Sequence, residues 1–140
     1  MNTSLFLELH RTHGEVLDRE PVFFKLCIEH LGFLISEHRF EFECKHENWF
    51  ADGNHTQAIF TNHNNQVAFY VIWDHSYLPI LGVKPIERKF YERGLLPKFN
   101  CDEFNIRTAR DDMEYNNRVE NKIKLIGIWI RENLVKFYEA

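Results

Sequence analysis

A chain of 140 residues, 44% hydrophobic and 15% aromatic, is the size of one domain and can bury roughly two thirds of its unfolded surface without a disulfide or metal. A net charge of -4 and a pI near 6.1 argue against a general nucleic-acid binder, which needs a basic patch to displace phosphate counterions. Cys27, Cys44 and Cys101 are an odd set without paired spacing, which excludes a disulfide framework.

The opening MNTSLFLELH lacks the basic start of a signal peptide. No apolar run approaches the ~18 residues that a membrane span needs. The expected compartment is therefore a reducing cytoplasm. Residues 3–13 read as a short helix capped by Thr3 or Ser4, with a strand as the alternative. DREPVFFKLCIEHLGF predicts a helix from about 18 to 31. Asp18 can accept a bond from an orphan amide at its start, and Pro21 suits a first turn. Phe23, Phe24, Cys27, Ile28, Leu31 and Leu34 form its apolar stripe, and Gly32 can take the left-handed conformation that ends a helix.

The period then switches to two. In HRFEFECKHE, residues 38–47, His38, Phe40, Phe42, Cys44 and His46 share one parity, and Arg39, Glu41, Glu43, Lys45 and Glu47 the other. ADGN at 51–54 is turn chemistry. TQAIFTNH and QVAFYVIWD flank Asn64-Asn65, and Asn tolerates the positive φ of a tight hairpin. That turn would pair Asn62 with Val67, Phe60 with Phe69 and Ala58 with Val71. It would also pair Ile59 with Tyr70 and Gln57 with Ile72. The second strand is apolar on both faces, as a central, twice-covered strand is.

KPIERKFYERG predicts a short helix from Pro85 to Gly94, and residues 95–110 a long connection. The last element has the clearest period. Asp111 and Glu114 have capping-box spacing, and Tyr115, Val119, Ile123, Ile126, Ile130, Leu134 and Phe137 then recur at three and four. Trp129 and Leu125 widen this stripe. A helix of roughly 25 residues spans about 37 Å, enough to cross a small sheet. Gly127 within it would allow close packing on that sheet. The fold class is α+β: one domain over 1–140, with an antiparallel β-meander of at least three strands packed against N-terminal helices and a long C-terminal helix.

Chemistry-bearing patterns are sparse. Cys27 with His30, His10 with His13, and Cys44 with His46 are close pairs, but a structural zinc needs four ligands in tighter spacing, so no metal is expected. The plainer reading is core cysteines and scattered surface histidines. Cys101 is followed by two acids, which oppose thiolate formation. Asp74 and His75, in WDHSY at a strand end, are the best acid–base pair, although Asp74 and Ser76 equally suit a turn. No glycine-rich phosphate loop is present, and no cofactor is expected. Lys84, Arg88, Lys89, Arg93 and Lys98 read as a solvated basic face.

The charged parity of residues 38–47 remains. Glu41, Glu43 and Glu47, with Trp49 and Asp52, could present an acidic face with an aromatic anchor to a basic protein. Charges on an edge strand also deter aggregation, which is the plainer reading. In size, acidity, aromatic richness and this strand, the chain resembles the small acidic immunity proteins of bacterial toxin–immunity systems. The resemblance covers the layout of the whole chain and rests on no diagnostic motif. It implies a cytoplasmic α+β domain that binds a toxin, such as a basic nuclease domain, and occludes it, touching neither membrane nor nucleic acid directly. Two other readings are a small hydrolase using Asp74 and His75, and a homodimer burying the second face of the meander.

Overall fold

The computed structural model describes residues 3–49, 53–73, 79–84 and 112–138. Its helices are α1 (Thr3–Leu17), α2 (Pro21–Leu31), α3 (Phe33–His38) and α4 (Asp112–Tyr138). Its strands are β1 (Glu41–Trp49), β2 (Gly53–Asn62), β3 (Val67–Trp73) and β4 (Ile80–Lys84). They form one antiparallel sheet in the order β1-β2-β3-β4, so the α+β meander is present. Among the described residues, no helix is long and apolar enough to cross a membrane.

One core joins the helices to the inner face of the sheet. Phe40, Phe42, Ala58, Phe60, Val67, Phe69, Val71, Leu81 and Val83 meet the stripe of α2 and that of α4. Aromatic rings fill its centre: Phe69 lies 5.9 Å from Phe40 and 5.2 Å from Phe137, centroid to centroid. Burying rings of this size supplies most of the driving force for such a layer. Ile59 and Ala68 are buried outside this core, on the opposite, outer face.

The β2–β3 hairpin has the register the sequence implies, from Gln57 opposite Ile72 to Asn62 opposite Val67. Its turn differs in detail. Residues 63–66 form it, and the positive φ of 54° falls on Gln66, not on either asparagine. Asn62 steadies the loop by accepting the Asn65 N–H at 3.1 Å.

The start of α2 also differs. Pro21 opens it as expected, but Glu20 stands at the cap position and makes no side-chain cap bond. Asp18 instead bonds the His10 ring at 2.9 Å. Gly32 is right-handed, with φ -59° and ψ -21°, and the chain runs on into α3. Burying Phe33 and Leu34 rewards that continuation. Arg39 makes the left-handed turn in its place, at φ 59°. His38 is consequently helical, and β1 begins at Glu41. Gly53 and Asn54, read as turn residues, belong to β2 opposite Trp49 and Asn48. Strand β4 has no counterpart in the sequence reading, because ILGVK is short and carries a glycine.

Helix α4 buries Val119, Ile123, Ile126, Ile130, Leu134 and Phe137 along one side. Leu125 does not widen that side: it is 49% exposed. Lys122 is buried among the apolar positions, at 2% exposure. Gly127 packs against α2 rather than the sheet. A Cβ there would lie 2.6 Å from the His30 carbonyl oxygen. Phe23 and Leu26 of α2 share a cavity wall with Asn116 and Val119 of α4, so the two helices run in the same sense. The helix expected over 85–94, the connection after it, and the cap at Asp111 lie outside the described residues.

Candidate partner-binding surface

Among the described residues, strand β1 is an edge of the sheet, and its alternation sorts the acidic and apolar side chains. The left-handed turn at Arg39 ends α3, and the Phe40 N–H reaches back to the Leu34 carbonyl at 2.9 Å. From there the chain is extended, and successive side chains point to opposite faces. Phe40 and Phe42 enter the core, and the Phe42 ring meets Phe60 and His13 edge-on, at 5.4 Å in each case. Cys44 is half-buried, and His46 Nδ1 shares a 2.9 Å hydrogen bond with the buried Thr56 hydroxyl.

Glu41, Glu43 and Lys45 point the other way and are exposed. Glu41 Oε2 lies 3.1 Å from His63 Nε2, with both side chains about 70% exposed, so solvent screens the pair heavily. Glu47 and Trp49 lie farther along β1, registered opposite His55 and Gly53. Asp52 lies outside the described residues. The structure thus puts Glu41 and Glu43 together on one exposed face and interrupts them with Lys45.

Behind the acids the outer face turns apolar. One row across the sheet runs Glu43, Ile59, Tyr70, Gly82, and the next Lys45, Gln57, Ile72, Ile80. Gly82 keeps this face flat, since a Cβ there would touch Ile72 at 3.4 Å. Lys84 ends β4 opposite Ala68. The rest of the expected basic face lies outside the described residues.

The cysteine and histidine pairs do other work. Cys27 is sealed in the core, His10 bonds Asp18, and His46 turns to Thr56. Among the described residues, no three groups of metal-ligating type converge. Burial holds the Cys27 thiol well above its usual range. Burial, with Glu43 beside it, pushes Cys44 up to about 11. The His30 Nε2 atom is buried and finds no hydrogen-bond partner among the described residues. Its position follows from the close crossing at Gly127, which no pattern within either helix signals.

A cavity of about 230 Å³ opens between the first turns of α2 and the start of α4, lined by Glu20, Val22, Phe23, Leu26, Trp73, Asn116 and Val119. Phe23 and Trp73 stack along its wall at 5.2 Å. Asp74 and His75, which follow Trp73 in the chain, lie outside the described residues, as does Cys101. No family model, curated protein or solved structure matches this chain.

Proposed function

We propose that this chain is a cytoplasmic protein-binding domain of the immunity type, which neutralises a basic partner, such as a nuclease toxin, by occluding it with the outer face of β1. One observation carries the reading. Glu41 and Glu43 stand exposed together on an edge strand whose opposite parity is committed to the core. Carboxylates so placed speed encounter with a basic surface, and Ile80 farther along the outer face, 38% exposed, adds apolar area to bury once contact is made.

The test is the double variant Glu41→Lys with Glu43→Lys, against a basic nuclease domain that the parent chain binds. The association rate falls about tenfold or more and loses much of its salt dependence. Unchanged association kinetics in that variant would remove the reading. A second reading is a small hydrolase using Asp74 and His75, favoured by the cavity that reaches Trp73. It requires a hydrolytic activity that Asp74→Asn abolishes; a purified chain inert towards ester and phosphoester substrates sinks it.

A further inference from the structure

The β1 edge carries more information than its side chains. In an antiparallel ladder, the N–H and C=O of alternate residues point to opposite edges. The Arg19 Nη1 group donates to the His46 carbonyl at 3.5 Å. Arg19 belongs to the connection between α1 and α2, so the His46 backbone faces away from β2. By alternation, the backbones of Phe42 and Cys44 do the same. Outside the sheet ladder, no hydrogen bond to the backbone of either residue is found among the described residues. The stretch is bounded on both sides: Phe40 spends its N–H on Leu34, and Arg19 covers His46.

We propose that the window Glu41–Lys45 accepts an extended, basic segment of the partner as a fifth strand. This rests on the protein-binding reading above and names the mode of contact. Phe42 and Cys44 would supply the ladder hydrogen bonds. Glu41 and Glu43 then fall at the non-hydrogen-bonded positions, where facing side chains come closest. The incoming strand therefore needs Lys or Arg opposite those two carboxylates. The residue between them points towards α1, whose His13 already lies under Phe42, and should be small or apolar. A second copy of this chain is the competing occupant: antiparallel pairing about Glu43 would set Glu41 opposite Lys45 but Glu43 against itself, a like-charge contact that a basic segment avoids.

The experiment uses the full chain, labelled for amide exchange by NMR. The probes are a capped peptide of alternating Lys and Val, the same peptide N-methylated along one edge, and a Glu–Val counterpart. In the unliganded protein the Phe42 and Cys44 amides exchange fast. The Lys–Val peptide slows both by about tenfold or more. The N-methylated and Glu–Val peptides do not. Cys44→Pro removes an outward N–H without touching the ladder to β2, so it retains the fold and loses the peptide. Should that variant misfold, the N-methylated peptide still decides.

Binding of the Lys–Val peptide without protection of these amides, or undiminished by N-methylation, overturns strand addition and leaves the acidic-face reading standing. No binding at millimolar peptide overturns strand addition too, while partner association that still depends on Glu41 and Glu43 would keep the broader reading. Protection that appears without peptide, together with a doubled mass, assigns the edge to a second copy and overturns the proposal.

Discussion

Gly127→Ala tests the crossing of α2 and α4 most directly. In an isolated helix this change stabilises by about 1 kcal/mol, because alanine is the better helix former. Here the new Cβ would sit 2.6 Å from the His30 carbonyl oxygen and 3.3 Å from its carbon, both backbone atoms that cannot rotate aside. Ordinary contact begins near 3.4 Å, so the helices must part by about 0.8 Å. A gap of that size forfeits a quarter to a half of the dispersion energy of the atoms it separates. Overpacking costs about 1–3 kcal/mol, and a clash with backbone that cannot rotate aside falls in the upper part of that range, about 2–3, against which the gain of ~1 kcal/mol in helix propensity is the smaller effect. The expected net loss is about 1–2 kcal/mol. In urea the unfolding midpoint drops by about 0.5–1 M at unchanged slope. Ile128→Ala, one residue on and 45% exposed, stays within about 0.5 kcal/mol. A Gly127→Ala protein as stable as its parent would refute the close crossing.

Phe69→Ala, which empties the centre of the aromatic layer, should cost about 3–5 kcal/mol in the same titration, whereas exposed Val135→Ala should be nearly silent. Arg39→Gly should stabilise by about 0.5–1 kcal/mol, since the left-handed turn at φ 59° costs a side chain more than a glycine; a loss of stability would show that the arginine itself is needed. Cys44 should alkylate slowly near pH 8 and faster as pH climbs towards 11, with Cys27 unreactive until the chain unfolds. A rate that levels off near pH 9 would contradict the buried setting of Cys44. The linked stability has a definite sign: the fold favours the neutral Cys44 thiol. That contribution is intact below the ordinary thiol pKa of about 8.5 and is lost as pH rises through the folded value of about 11.

Much of the site was legible because the relevant signals are local. Alternation from Phe40 to His46 separates core from surface whatever the strand later packs against, and it placed Glu41 and Glu43 on the exposed side. The same applies to the hairpin register, which follows from where the turn sits. It applies as well to the stripe from Val119 to Phe137, which follows from helical period. That Cys44 and His46 share the side of Phe40 and Phe42, each partly buried, is the same parity argument.

What the sequence could not decide was set by contacts between distant segments. Whether Gly32 ends a helix or passes through it depends on the core that receives Phe33 and Leu34. Whether ILGVK is a strand depends on β3 offering an edge to pair with. Gly127 looked the same from within its helix whether it met the sheet or the His30 carbonyl. The outward backbone of Phe42 and Cys44 is of this kind too, because periodicity assigns a side chain to a face but not a strand to an edge. Local periodicity decides which way a residue points; only the assembled layers decide what it points at.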